Sequence, residues 1–228
     1  MINIGKRIDL HTHSLHSDGV LLPSEIARYA SVMGFAAIAV TDHVDYSNLE
    51  SVMRKLLMFT EKHAQYLDII FVPGVEITHA SPELIPELAK DAKKLGAQII
   101  VCHGETPAEP VIKGTNHAAV QQKVLIDILA HPGNITEEDS KLAKENGIYL
   151  ELTAKPGHNA TNGHVAKMAQ KTGAKLVVNT DAHKPEDYIT QEAAFNLAKS
   201  CGLNDEEALK AVWDNPKELL SRIGAVVI

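Results

Sequence analysis

The sequence predicts an α/β fold in which repeated strand–helix units surround a parallel sheet. Three observations carry that expectation. Short β-branched apolar runs alternate with amphipathic stretches along nearly the whole chain. At 228 residues with 45% hydrophobic and 22% charged content, the chain is long enough to bury one large core as a single domain, residues 1–228. His, Asp and Glu recur where the apolar runs stop. Seven such repeats fit a closed or nearly closed barrel, with a doubly wound open sheet as the competitor. Both architectures put functional groups at the carboxyl ends of the strands.

The first strand is expected at Arg7 to His11, followed by a helix from Pro23, with Ser24 and Glu25 near its start and Gly34 at its end. The run from Phe35 to Thr41 reads as a buried strand leading into Asp42-His43, and a long helix covers Leu49 to Leu67. Asp68 to Val72 forms the third strand and passes through Pro73-Gly74-Val75 to Glu76. Pro82 to Leu95 is helical, and Ala97 to Cys102 is a strand ending at His103. A loop with Pro107, Pro110 and Gly114 leads to a short helix at Asn116 to Gln122, then to a strand at Val124 to Ala130 that ends in His131-Pro132-Gly133. Thr136 caps a helix to Asn146, with Glu137, Glu138 and Asp139 in the first turn, where the helix dipole favours acids. Ile148 to Leu152 is the sixth strand, Thr161 to Thr172 a helix, and Lys175 to Asn179 the seventh strand, followed at once by Asp181-Ala182-His183. The tail, 185–228, reads as two or three helices broken near Gly202-Leu203-Asn204.

Bulk properties narrow the function. A formal charge of −7 and 4% aromatic content argue against a dedicated nucleic-acid binder. Cys102 and Cys201 lie in no CxxC pair and are too few for a disulfide framework, so a reducing compartment fits. The first seven residues contain no apolar leader core, and no apolar run reaches about 18 residues. The expectation is a cytoplasmic protein with no membrane contact.

The 12 histidines need an explanation. His11 and His13 stand two apart, so on a strand both side chains face one way and can share one metal ion. Asp18, in the turn with Gly19, is close enough in sequence to set a carboxylate beside them. Six of the seven expected strands end in such groups: His11 and His13, His43, Glu76, His103, His131, and Asp181 with His183. Only the sixth ends without one. A barrel would bring all of these to one rim.

The segments Asp9-Leu-His-Thr-His13, Ser17-Asp-Gly19, Thr41-Asp-His43, Gly74-Val-Glu76, His103-Gly-Glu105, His131-Pro-Gly133 and Asp181-Ala-His183 together resemble the PHP (polymerase and histidinol phosphatase) family, in order and over essentially the whole chain. The run 103–110 and Gly114-Thr-Asn-His117 are similar to its small, histidinol-phosphatase-related members. The resemblance implies a distorted seven-stranded (β/α)7 TIM-like barrel and a three-metal phosphoesterase site. It assigns His11, His13, Glu76 and Asp181 to one ion, Glu76 with His103 and His131 to a second, and Asp18, His43 and His183 to a third. Some relatives carry His where this chain has Asp18.

Such a site suits a phosphate ester. Divalent ions held there would lower the pKa of a bound water towards ~7 and so could supply a hydroxide to attack phosphorus in line. Nitrogen and oxygen ligands without thiolate admit Zn, Mn or Fe. His158 and Lys155, after the sixth strand, and Glu105 and His117, after the fourth, are candidates for substrate contact or for the proton donor, as is Lys184 for phosphate binding. Asp42 is expected to orient the His43 imidazole, and Cys102 to lie in the core. His16, His63, His79 and His164 read as structural or solvated.

The expected activity is therefore hydrolysis of a small phosphomonoester, such as a histidinol-phosphate-like compound, a sugar phosphate or a nucleotide. A nuclease or phosphodiesterase is the alternative. A non-catalytic metal-binding accessory protein would be missing ligands, and no ligand position is empty. Amidohydrolase barrels also use His-x-His, but the His131-Pro-Gly133 segment and the lack of an obvious carboxylated-lysine position before that strand end count against carbon–nitrogen hydrolysis.

Overall fold

The computed structural model describes residues 3–225 and 227, so residues 226 and 228 of the expected tail lie outside the described residues. Eight strand segments form seven parallel staves of a nearly closed barrel. They are β1 (Ile8–Asp9), β2 (Ala37–Val40), β3 (His43–Val44), β4 (Ile70–Ile77), β5 (Ile99–His103), β6 (Ile128–Ala130), β7 (Tyr149–Thr153) and β8 (Leu176–Asn179). The order around the wall is β1-β2-β4-β5-β6-β7-β8, and β3 continues the β2 stave by pairing with β4. A single parallel bridge, Thr12 to Ala182, joins the last stave to the first; His13 N–H donates to the Ala182 carbonyl at 2.8 Å and Asp181 N–H to that of His11 at 2.9 Å. The open-sheet alternative is thereby excluded.

The period of two along each strand builds two cores. Ala37 and Ala39, Ile99 and Val101, and Ile8, Val72, Ile128 and Val177 point into the barrel. Ile38, Val40, Ile100 and Cys102 point outward against the helices. Cys102 therefore sits in the core, as expected. The outer layer comprises α1 (Pro23–Val32), α2 (Leu49–His63), α3 (Ile85–Lys94), α4 (Thr115–Val120), α5 (Glu137–Asn146) and α6 (Asn162–Thr172). The Thr136 hydroxyl accepts the Asp139 N–H at the start of α5, the expected cap. The tail forms α7 (Gln191–Ser200), α8 (Asp205–Leu209), a π-helical turn (Lys210–Asp214) and α9 (Asn215–Arg222). Leu219 and Leu220 of α9 join the interior cluster, so the tail packs against the inner core.

Two expectations need correction. β4 does not end before Pro73-Gly74 but runs through it to Ile77, which places Glu76 inside the strand. Pro73 still accepts the Gln98 N–H at 3.0 Å, and Gly74 allows β5 to come close, since a Cβ there would strike Ile99. The strand expected from Val124 begins only at Ile128. Val124 has φ 62, and the N–H groups of Leu125 and Ile126 both turn back to the Gln122 carbonyl. A β-branched residue in the left-handed region gives no sequence warning of a turn.

Candidate metal centre

All nine residues expected as metal ligands reach the carboxyl-end mouth of the barrel. Alternation does the first part of the work: Thr12 turns outward and bonds the Ala39 carbonyl at 2.6 Å, while His11 and His13 turn inward with their Nε2 atoms 3.0 Å apart. Glu76 reaches the same point from β4, its Oε1 3.4 Å from His11 Nε2 and 3.7 Å from His131 Nε2. Asp181 arrives from the end of β8, with Oδ1 3.1 Å from His13 Nε2 and Oδ2 3.6 Å from His131 Nε2. On the outer side, Asp18 Oδ1 lies 3.2 Å from His183 Nε2 and 3.6 Å from His43 Nε2.

Donor atoms able to hold a cation fall into overlapping sets. One contains His11, His13 and Glu76; another His11, His131 and Asp181; a third Glu76, His103 and His131; a fourth Asp18, His43 and His183 together with His13. Asp18 thus groups with His43 and His183, and the His13 ring, stacked 4.2 Å from each of theirs, joins the two regions.

The residues fit divalent cations on a direct test. Glu76 Oε1 and Asp181 Oδ1 are buried without a hydrogen-bond partner, and both stand against the Nε2 atoms of the imidazole cluster. Buried polar groups are ordinarily paired, and an unpaired buried carboxylate costs several kcal/mol. A cation among them would remove that cost. The donor set is nitrogen and oxygen only.

Electrostatics divide the imidazoles. His13 is pushed well below the usual range by burial and then by the imidazoles of His43 and His11. His131 is lowered likewise, by burial and then by His103. Both are neutral, the form that ligates. Burial also opposes charge on His11 and His43, but neighbouring carboxylates prevail. Glu151, Glu76 and Asp181 raise His11 well above its ordinary value, and Glu76 brings His43 up to about 9. Burial works against the Glu76 anion too, yet His11 and His43 hold it far below the usual carboxylate range. Burial lifts Asp181 to about 6, against the pull of His11 and with the push of Glu76.

The four candidate substrate contacts separate into two pairs. His158 and Lys155 stand at the mouth. The His158 ring is 4.4 Å from that of His131, and Lys155 Nζ lies 2.6 Å from His183 Nδ1 and 3.2 Å from the Asp181 carbonyl. Glu105 and His117 are engaged elsewhere. Glu105 Oε1 accepts the N–H groups of Gly114 and Asn116, both at 2.9 Å. His117 spends Nδ1 on Asp139 and Nε2 on Gln121, at 2.6 and 2.9 Å. Glu105 is thus a loop anchor, and His117 a link between α4 and α5. Lys184 is exposed beside the mouth. Asp42 does not orient His43: its oxygens accept from Ser14 N–H, Ser14 Oγ and Ser17 Oγ at 2.6–2.7 Å, fixing the turn that carries Asp18. The His43 Nδ1 partner is the Thr78 hydroxyl at 2.6 Å, with Glu76 Oε2 at 2.7 Å.

Two residues at the mouth carry no sequence signal strong enough to single them out as site residues. Glu151, fully buried in β7, lies with Oε1 2.8 Å from His11 Nδ1, and its Oε2 accepts the His131 N–H at 3.1 Å. It supplies the sixth expected strand with a functional acid, and the signal was an acid inside the apolar run 148–153. Glu109 faces His79, His103 and His158. A loop residue without periodicity offers no signal for it, and His79, expected to be structural or solvated, is exposed beside it.

Residues 9–197 match the PHP domain. The chain belongs to the PHP family. It is 47% identical over 219 residues to an uncharacterized protein of Methanocaldococcus jannaschii, spanning 95% of this chain and all of that one. It is 26% identical to a probable phosphatase of Thermoanaerobacter sp. strain X514 over 93% of this chain and 94% of the relative. Ribonuclease P protein component 3 of Methanosarcina barkeri is 23% identical, over 95% and 90% of the two chains. Among solved structures, the ochratoxinase of A. niger superposes with a TM-score of 0.63 at 13% identity, covering 94% of this chain and 71% of that one, a likeness of fold. PHP proteins are metal-dependent hydrolases. No described helix is long and apolar enough to cross a membrane.

Proposed function

We propose that the chain is a metal-dependent phosphoesterase that hydrolyses a small phosphomonoester at a three-cation site. The observation that carries this reading is the convergence of nine nitrogen and oxygen donors at one barrel mouth, with two buried carboxylate oxygens left unpaired. His11, His13, Glu76 and Asp181 would hold one ion, Glu76 with His103 and His131 a second, and Asp18, His43 and His183 a third. Zn, Mn or Fe suits these donors. Ions there would acidify a water and draw negative charge off the phosphoryl oxygens.

The protein's own groups do the rest. With an ion in place, Glu151 would hold the Nδ1 proton of His11 and leave the Nε2 lone pair for the cluster. Lys155, tethered at 3.2 Å to the Asp181 carbonyl, sets a positive charge at the rim for a phosphoryl oxygen. His158 is fixed through Nδ1 to the Thr106 hydroxyl at 3.0 Å, leaving Nε2 to hold a proton for the leaving oxygen. The probable-phosphatase relative supports a monoester substrate. The ribonuclease P relative favours a second reading, a phosphodiester of nucleic acid. The −7 charge weighs against that reading, and complete donor sets weigh against a non-catalytic accessory role. In keeping with a cytoplasmic setting, both cysteines are free thiols.

The test is a screen of purified protein with Mn or Zn across phosphomonoesters, a diester and short oligonucleotides. Turnover of monoesters is expected, and turnover confined to diesters or oligonucleotides would overturn the proposal. His131→Ala should abolish turnover while circular dichroism stays unchanged.

A further inference from the structure

We propose that Glu109 is a tenth donor to the metal centre, carried on the loop 104–114, and that it binds the cation held by His103. The inference rests on the reading above in needing a cation at His103. The His103 Nδ1–H donates to the Gly104 carbonyl at 3.1 Å, so in the neutral ring Nε2 carries the lone pair, and it faces Glu109 in the mouth. Glu109 Oε2 stands 3.2 Å from that Nε2 and 3.1 Å from His79 Nε2. Its other oxygen is 3.3 Å from His158 Nε2. Donor atoms of His79, His103 and Glu109 lie within 4.8 Å of one another, and His103 belongs equally to the set with Glu76 and His131. One imidazole lone pair holds one ion. The two sets therefore describe a single position reached from two sides, by Glu76 and His131 from the barrel and by Glu109 from the loop.

The loop is built to deliver that carboxylate. Asn116 Oδ1 accepts the Glu105 N–H at 2.9 Å, and Asn116 Nδ2 donates to the Pro132 carbonyl at 2.8 Å. Together with the Glu105 bonds to Gly114 and Asn116, this clamps the loop base to the turn after β6. Gly133, at φ 59, sits where a Cβ would collide with the Glu105 carbonyl, so loop and turn are in direct contact. Glu109 then stands over the mouth with only imidazoles as ion partners among the described residues. A carboxylate drawn to three imidazoles and no lysine or arginine has the surroundings of a metal ligand.

The experiment titrates the metal-stripped full chain with Co2+, followed by its visible absorption, in the wild type and in Glu109→Gln. Trypsin cleavage after Lys113, inside the loop, reports closure in parallel. For Glu109→Gln, one Co2+ should bind about tenfold or more weakly with an altered spectrum. Co2+ should protect Lys113 in the wild type and not in the variant. Glu109→Asp, which keeps the charge but withdraws it by one methylene, should fall between. Wild-type affinity, spectrum and protection in Glu109→Gln would overturn this inference alone. A wild type that takes up no Co2+ would overturn the phosphoesterase reading with it.

Discussion

Glu151→Gln isolates what one buried charge does for the site. In the native arrangement, one carboxylate oxygen lies 2.8 Å from His11 Nδ1 and accepts from Asn179 Nδ2 at 2.9 Å, while the other accepts the His131 N–H at 3.1 Å. All three partners are donors. Glutamine has one oxygen and one NH2 group, so whichever way the amide turns, a donor meets a donor at a fully buried position. Leaving one such group unpaired costs about 1–3 kcal/mol. For a chain of this length that lowers the melting temperature by roughly 2–12 °C. Loss of the carboxylate also frees His11 to place its proton on Nε2, the atom facing the cluster. Metal affinity or turnover should then fall about 10–100-fold. Chelator competition with Mn or Zn measures the affinity, and a thermal melt of the apo-protein measures the structural cost separately. Metal affinity within twofold of the wild type would show that Glu151 does not set the His11 tautomer, whatever the melt reports.

Three other outcomes follow from the same geometry. Asp18→Ala should cost about one ion per chain in elemental analysis and change the apo melting temperature little, because Asp18 is more than half exposed and its contacts to His43 and His183 are exposed ion pairs worth at most about 1 kcal/mol. Removing metal with a chelator should lower the melting temperature of the loaded protein, since an ion at 100 times its Kd contributes about 2.7 kcal/mol, or roughly 5–11 °C per site; no change on chelation would contradict a metal centre. At high pH, burial and then Glu218 raise the Tyr149 phenol to about 12. The folded chain therefore keeps a proton that the unfolded chain loses near 10, and stability should decline from about pH 10 to 12 in melts, with tyrosinate absorbance showing a late-titrating phenol.

The barrel was legible because its signal is repetitive. Seven apolar runs, six of them stopping at a polar residue of ligand type, state both the fold and the rim on which the site lies. What stayed hidden depends on direction rather than composition. Asp42 and Glu151 are both acids near ligands. The sequence paired the wrong one with an imidazole, since it shows adjacency along the chain and not the neighbour across the barrel. Glu105 and Glu109 lie in one loop, four residues apart. Backbone N–H groups of residues 114 and 116 capture the first and imidazoles surround the second, and no periodicity separates them. Val124 failed as a strand residue for a related reason: a left-handed turn without glycine has no compositional mark.

The cost of this mouth shows where its geometry comes from. Of the four non-glycine residues with positive φ among those described, His79 at 51°, His131 at 26° and Asp181 at 54° border the cluster. Such conformations cost about 1–3 kcal/mol each and persist only where the surroundings over-determine them. Side-chain bonding within the cluster is too sparse for that task, since His131 Nδ1 and Asp181 Oδ1 have no partner. The backbone does it instead. Asp181 N–H is tied to the His11 carbonyl and His13 N–H to that of Ala182, and Glu151 pins the His131 N–H from below. The bond that closes the barrel is thus also the bond that sets the first imidazole pair against Asp181. Ligand positions fixed by the ladder do not collapse when like groups crowd together, so lone pairs and carboxylates can be held close and unpaired. A cation entering that arrangement meets donors already in place, and its binding energy is not consumed in gathering them.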